Sequence, residues 1–469
     1  MSQPRLENFS PESAPDALQE SLVRAVDESG RTVVAFDDDP TGVQTVHDIP
    51  VLARWSVPDL AEALRERRSL FFVLTNSRSL DEDDAIRLNC EIAGNLLAAA
   101  EQTGTRFVVA SRGDSTLRGH FPAETDAIAA TLGDIDGVLL VPAFFEGGRQ
   151  TRGDIHWVRD GERWIPAAET EFARDPTFGY RASDLKSWVE EKSGGRIVAD
   201  DVVSISLEDI RRGGAERVER ILRSLSGGRV VVVNAESYGD LEVVVLGLLA
   251  AEVAGKRFIY RTGASFVRTR AGIAPRPLLT RNELVGDSPG PVSGLVVVGS
   301  HVRKSSEQLA HLLAEPRVTG IELDVSGILS SSGERSAALA NASTAVESAL
   351  TRGEVPVLFT SRAVLTANDP QAQLEVSRAV SAALVEVVRG LKQRPGWIVA
   401  KGGITSSDIG TEGLGVRRAL VLGQVRPGIP VWRLGAESRF PGLSYVVFPG
   451  NVGSGEALAE VVNLLRGDT

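Results

Sequence analysis

The chain is poor in several residue types, and each shortage removes a class of function. There is one cysteine, Cys90, in 469 residues, so neither an internal disulfide nor a cysteine-cluster zinc site can form. Cys90 falls in a helical stretch and reads as a small apolar residue. The five histidines are scattered, with no HExxH or closely paired spacing, which argues against a histidine-rich metal site. Positive charge is in deficit: 51 Lys and Arg face 62 Asp and Glu, for a net charge of −11. Nucleic-acid binding needs clustered basic residues, so no such partner is expected. Long hydrophobic runs are missing too, and the first thirty residues are polar, so neither a membrane span nor a secretory leader is expected. The expected location is cytoplasmic. No GxxxxGK(S/T) occurs, no GxGxxG opens the first helix, and no repeat of 20–50 residues is visible.

What remains is the composition of an ordinary soluble protein, 42% hydrophobic and 24% charged, in a chain too long for one core. Short apolar runs ending at Gly, Pro or charged residues alternate with helical periodicity, the pattern of βαβ units and mainly parallel sheets. Strands are expected at 33–36, 48–53, 69–75, 106–111, 137–142, 202–205, 230–233 and 257–260. Beyond 290 they are expected at 294–298, 319–324, 355–360, 396–400, 418–422, 430–434 and 444–448. A polar hairpin is expected at 154–157 with 163–165. The helix at 239–252 (LEVVVLGLLAAEVA) is apolar all round and should be covered on more than one face. Residues 276–292, rich in Pro and Gly, are the linker candidate. The reading is therefore two α/β domains: a tail and lead-in helix at 1–30, with 1–14 loose, a first domain at 31–285 and a second at 290–469, with an active site in the cleft between them.

The stretch 31–44, RTVVAFDDDPTGVQ, organises the first domain. Four apolar residues run into Asp37, Asp38 and Asp39 and then a Pro/Gly turn, as a buried parallel strand would. Ligands of open α/β sheets bind outside the carboxyl ends of the strands, and three adjacent carboxylates there repel unless a cation or a substrate hydroxyl lies between them. Three more strands end in comparable clusters: TNSR (75–78), SRGDSTLRG (111–119) and PAFFEGGRQT (142–151). Together they bring Asp38, Asp39, Arg78, Arg112, Asp114, Arg118, Glu146 and Arg149 to one sheet edge. Guanidinium groups bind carboxylates in a planar fork, and an aspartate can accept the proton of an attacking hydroxyl. That combination fits a small polyhydroxylated acid.

The second domain carries glycines where strands turn into helices: Gly299-Ser300, Lys401-Gly402-Gly403-Ile404-Thr405, and 448–455 (FPGNVGSG). Such turns let backbone N–H groups approach phosphate oxygens. A sugar acid in one domain and ATP in the other point to phosphoryl transfer, with a metal ion neutralising charge.

These motifs resemble the four-carbon acid sugar kinase family, whose members include 3-oxo-tetronate and D-threonate kinases, over roughly residues 30–465. The family's ADDFTG is matched by 37–42, its KxDSTLRGN by 112–120, and its PAFPxxGRxT by Pro142 to Thr151. Its GS, TGGET and SGNFG motifs are matched by Gly299-Ser300, Lys401 to Thr405 and Pro449 to Gly453. The resemblance implies an ATP-dependent sugar-acid kinase using Mg²⁺, with an N-terminal substrate domain and a C-terminal nucleotide domain. Asp38, Asp39 and Asp114 would be catalytic, one of Asp37, Asp38 and Asp39 being the base. Asp37, Arg78, Arg112, Ser115, Arg118, Gly148 and Arg149 would bind substrate. Ser300, Gly402, Gly403, Ile404, Thr405, Gly450, Asn451 and Gly453 would line the nucleotide; metal ligands are unknown. A homodimer is compatible with the sequence. Arg112, His120 and Ile404 stand where the family has lysine, asparagine and glutamate, so the acceptor could be an oxidised or branched aldonate. Two rivals remain. Residues 36–41 also fit the DxDxT signature of haloacid-dehalogenase-like phosphatases, with Asp37 as nucleophile and Asp39 as acid/base, and the same acids and arginines could serve a non-catalytic sugar-acid sensor.

Overall fold

The computed structural model describes residues 15–287, 290–300, 302–361, 370–450 and 452–467. The chain divides into two compact units, 1–275 and 276–469. The expected loose tail at 1–14 lies outside the described residues.

Eleven strands form in the first unit: β1 (Arg31–Asp37), β2 (Ile49–Leu52), β3 (Leu70–Leu74), β4 (Arg106–Arg112), β5 (Gly137–Val141), β6 (Arg149–Arg152), β7 (Ile155–Asp160), β8 (Arg163–Pro166), β9 (Val203–Ile205), β10 (Arg229–Val233) and β11 (Phe258–Thr262). Eight of them make one sheet in the order β2-β3-β1-β4-β11-β5-β10-β9, and every pairing in it is parallel. Its strands are buried nearly end to end, which is why they read as unbroken apolar runs rather than as an alternation. The expected hairpin is a three-stranded antiparallel meander, β6-β7-β8. Its first strand begins at the arginine of the GGRQT motif, so Arg149 belongs to the meander and not to a loop.

The helix Tyr238–Val253 starts at Ser237, whose side chain accepts from Asp240 N, and is buried from Leu241 to Leu249 on nearly every face. Burying a Val or Leu side chain is worth about 1.5–3 kcal/mol, so this helix is a central support of the unit.

In the second unit seven strands form: β12 (Leu295–Val298), β13 (Val318–Leu323), β14 (Val355–Thr360), β15 (Trp397–Lys401), β16 (Arg418–Arg426), β17 (Ile429–Leu434) and β18 (Ser444–Phe448). Their order is β13-β14-β12-β15-β18-β17-β16. The first five are parallel, and β17 runs antiparallel to both neighbours. The proline- and glycine-rich stretch is not bare linker throughout: Thr280 opens a short helix, Arg281–Val285, through a capping box, and Leu279 and Leu284 are buried in this unit's core.

Candidate active site

Parallel register sets the geometry of the first unit. Asp37 pairs with Leu74 of β3 and with Arg112 of β4, and Arg112 pairs with Thr262 of β11. Four strands therefore end level, and the residues after them share one edge of the sheet. Arg112 Nη1 lies 3.3 Å from Asp37 Oδ1 and 3.8 Å from Asp38 Oδ1. Arg78 stands in a 3₁₀ turn beyond β3, after Asn76 in the left-handed region at φ 51°. It bonds Asp39 Oδ2 and reaches within 3.8 Å of both Asp38 and Asp114. Asp39 also caps the turn that follows, accepting from Thr41 N at 2.8 Å. Asp114 accepts from Arg118 Nε at 2.7 Å and from the Thr116 hydroxyl.

Asp38 differs from its neighbours. It is 3% exposed, yet among the described residues neither of its carboxylate oxygens has a hydrogen-bond partner. Buried polar atoms are nearly always satisfied, so the exception calls for a reason. Burial pushes the Asp38 carboxyl above its ordinary value, against the pull of Arg78, Arg261 and Arg112. Asp37 is pushed up further, again by burial, with Arg112 opposing. Asp39 and Asp114 go the other way. Burial would raise both, but Arg78 and Thr41 outweigh it at Asp39, and Arg118 and Arg78 do so at Asp114.

Arg149 is the second residue with capacity to spare. Its guanidinium lies 5.9 Å from the ring centroids of both Phe144 and Phe172, and Arg118 stands 5.2 Å from Phe172. Arg118 is paired with Asp114 and Asp175. Among the described residues the Arg149 guanidinium bonds only the Gly147 carbonyl, its Nε has no partner, and no carboxylate lies within ion-pair distance. Ser115 and Gly148 also contribute to the framework. The Ser115 carbonyl bonds His156 Nε2 at 2.8 Å, and His156 Nδ1 meets the Thr151 hydroxyl at 3.0 Å. Gly148, at φ +69°, turns the chain into β6 where a Cβ would lie 2.6 Å from that of Arg159. His120 is held by two contacts: its Nε2 bonds the Leu80 carbonyl and its ring packs edge-on to Phe178.

The sequence does not single out Arg261 or Glu124. Arg261 stands near the end of β11, buried, with its Nη2 donating to the Arg118 carbonyl at 3.1 Å. A Cβ on Gly113 would lie 1.3 Å from Arg261 Nη1, so that glycine is the space the guanidinium occupies. Glu124 is buried against Ser77 and Asn89, its carboxyl pushed up by burial with Arg261 opposing. The signal for Arg261 is present in FIYRTG, an apolar strand running into a charge and a glycine like the others. The expected strand stops at residue 260, one short of it. Glu124 carries no such signal, because acids in a helix's first turn are ordinary.

In the second unit Gly299, Ser300, Gly402, Thr405 and Gly450 come together beyond β12, β15 and β18. A Cβ on Gly299 would lie 2.2 Å from Thr405 Oγ1, one on Gly402 (φ +117°) 3.2 Å from Ser300 Cβ, and one on Gly450 3.1 Å from Ser300 Oγ. Ser305 Oγ links Ser300 Oγ at 2.9 Å and the Gly450 carbonyl at 3.1 Å. Gly403 opens the helix Gly403–Asp408, and Ile404 is 54% exposed. Gly453 (φ +86°) lies where a Cβ would crowd Ala457. Asn451 lies outside the described residues. Bare backbone held this closely suits a polyphosphate. Among the described residues no three His, Cys, Asp or Glu side chains are arranged to hold a metal ion, and no described helix is long and apolar enough to cross a membrane.

Comparison with known proteins agrees with this division. Residues 33–270 match a sugar-binding N-terminal domain and residues 295–458 a nucleotide-binding C-terminal domain. A 3-oxo-tetronate kinase of Methylobacterium radiotolerans is 27% identical over 425 residues, covering 87% of this chain and 91% of that one. A D-erythronate kinase of Heliobacterium modesticaldum is 28% identical over 245 residues, 52% of this chain; the chain spans about half, 50%, of that relative's length. A solved structure from Salmonella typhimurium LT2, provisionally labelled a tRNA synthase, shares the fold with a TM-score of 0.65 at 18% identity, covering 91% of this chain and 98% of that one. With both domain matches in order along more than half of its length, the chain belongs to the four-carbon acid sugar kinase family.

Proposed function

We propose that the protein is an ATP-dependent kinase that phosphorylates a hydroxyl of a small sugar acid, a tetronate or a related oxidised or branched aldonate. The observation that carries this reading is Asp38, a buried carboxylate with both oxygens unpartnered among guanidinium groups. A substrate hydroxyl is the missing donor. As its oxygen attacks the terminal phosphorus of the nucleotide, Asp38 takes its proton, and the raised affinity of Asp38 for protons makes it a stronger base than an exposed carboxylate. Asp37 is engaged by Arg112 and Asp39 by Thr41 and Arg78, which favours Asp38 among the three.

Arg149, with no carboxylate partner, and Arg118 beside it fit the acid end of the substrate, with Phe172 against both guanidinium faces. Ser300, Gly402, Gly403, Ile404, Thr405, Gly450 and Gly453 fit the nucleotide. Mg²⁺ is assigned to the nucleotide's phosphates, since this ion commonly binds through substrate oxygens and few protein ligands. Its chemistry there is to offset charge on the transferred group.

The test is incubation with ATP, Mg²⁺ and a panel of four- and five-carbon sugar acids. ADP formation that depends on one of the acids is expected. Release of phosphate from phosphorylated sugars would support the phosphatase rival, and acid binding without ADP formation the sensor; either overturns the proposal.

A further inference from the structure

The loop after β18 is held from behind in an unusual way. Four of its carbonyls are bonded by three fully buried side chains. Lys401 Nζ donates to Pro449 O at 3.0 Å, and Ser305 Oγ to Gly450 O at 3.1 Å. Gln308 Nε2 donates to Val452 O at 3.0 Å and to Ser454 O at 2.6 Å. In a trans peptide the carbonyl and the following N–H point in opposite directions. The inward carbonyls of Pro449, Val452 and Ser454 therefore turn the next N–H outward, at Gly450, Gly453 and Gly455. None of these three N–H groups donates to another described residue.

Lys401 is the anomaly among the three. It is completely buried, with the Pro449 carbonyl and the face of Phe448, 4.2 Å from Nζ, as its company. No described carboxylate lies within ion-pair distance of it. An ammonium ion buried without a counter-ion is costly, whereas a buried methionine would fill the same space without that penalty.

We propose that Lys401 is a positioning residue for the nucleotide. It aims the Pro449–Gly450 peptide so that its N–H meets a phosphate oxygen, and it places a positive charge directly behind that N–H. Gln308 aims the Gly453 and Gly455 N–H groups in the same way. The inference rests on the nucleotide reading of the second unit and assigns the residues that shape its phosphate cradle.

Lys401 is also placed to couple nucleotide binding to pH. Burial pushes its ammonium down to about 7, and Lys304 on the helix Arg303–Leu313 adds to the effect. The neighbouring strand β12 has no titratable side chain; β18 carries Tyr445, whose hydroxyl donates to the Ser406 carbonyl and which burial keeps protonated. Asp408, on the helix that follows Lys401, is bonded to Ser381. At pH 8 the amine is therefore mostly neutral, and an anion arriving outside the loop draws a proton onto it.

The experiment is calorimetric titration with Mg²⁺–ATP at pH 8 in two buffers of different ionisation enthalpy. The wild type is expected to take up a substantial fraction of a proton. Lys401→Met is expected to abolish the uptake, flatten the pH dependence of affinity between pH 7 and 9, and weaken nucleotide binding about tenfold, with KM for the sugar acid unchanged. Binding by the wild type without proton uptake overturns the proposal, as does a Lys401→Met protein with wild-type affinity and pH profile. Should Lys401→Met not fold, the wild-type uptake decides the charge, and Gln308→Met decides the loop: it should lose affinity several-fold and keep the uptake, and unchanged affinity overturns the cradle. A wild type that binds no ATP is a different result. It removes the nucleotide reading itself, and this inference with it.

Discussion

Asp38 Oδ1 stands 3.8 Å from Arg78 Nη1, close enough to feel the charge and too far to share a proton. The carboxylate is held in place by electrostatics while its lone pairs stay open. Asp38→Asn should therefore lower kcat by about 10²–10⁴-fold with little change in the KM for either substrate. Steady-state kinetics at saturating ATP checks this; near wild-type turnover would move the base elsewhere.

The same substitution should make the protein more stable. Asp38 is pushed up in the folded state, chiefly by burial, so its contribution is favourable below the ordinary carboxylate range and is lost as pH rises from there through the raised folded value. At neutral pH the buried charge costs stability that a neutral amide does not. Asp38→Asn should raise Tm by a few degrees at pH 7 and lose that advantage below about pH 4. A Tm that falls at pH 7 would contradict it.

Arg149 should act on the acid substrate alone. Arg149→Ala is expected to raise its KM about 10–100-fold, the loss of a charge-assisted hydrogen bond, while the KM for ATP stays put. Arg149→Lys should recover only part of the loss, because a point charge does not reproduce the planar fork. Equal effects on both substrates would disprove the assignment.

Asp114 gives the opposite pH signature from Asp38. Arg118 and Arg78 overcome its burial and hold its carboxyl below the usual range. Its stabilisation is present above the unfolded value, about pH 4, and is lost as pH falls beneath it. Urea unfolding of Asp114→Asn should show a deficit at pH 7 that narrows towards pH 3; a constant deficit would point to lost packing instead.

Gly113 and Arg261 should be coupled. Gly113→Ala puts a methyl where the Arg261 guanidinium lies, and crowding of this kind costs about 1–3 kcal/mol. Arg261→Ala vacates that space. The double variant should then be more stable than the sum of the two single losses implies, measured by denaturant unfolding. Strict additivity would show that Arg261 moves aside freely.

Much of this architecture is legible in the sequence, for physical reasons. Strands buried on both faces leave unbroken apolar runs, so all eight strands of the first parallel sheet are found within a few residues. The acids after β1 and the arginines at 78, 112 and 118 are legible because charges at a strand's end interrupt such runs. Other features leave no local trace. The antiparallel turn of β17 depends on partners, and the meander turns Arg149 from a loop residue into a strand residue. Choosing Asp38 among three adjacent aspartates requires knowing which of them Arg112, Arg78 and Thr41 have already engaged. Arg261 escapes because the expected strand stops one residue short of it, and nothing local to FIYRTG announces that Gly113, far away in sequence, makes room for its guanidinium. The His120 departure likewise reads as a change of ligand until its bond to the Leu80 carbonyl is seen.

The meander β6-β7-β8 carries Arg149 on its first strand, and through His156 on its second it grips the loop that bears Asp114 and Arg118. A short appendage thus governs the spacing of both guanidinium groups assigned to the acid, and it lies outside the parallel framework that supports the aspartates. Lengthening or shortening its turns would shift both guanidinium groups while leaving the aspartates of β1 on their own strand, so the spacing between acids and arginines is set by a part of the chain that can vary independently of the parallel sheet.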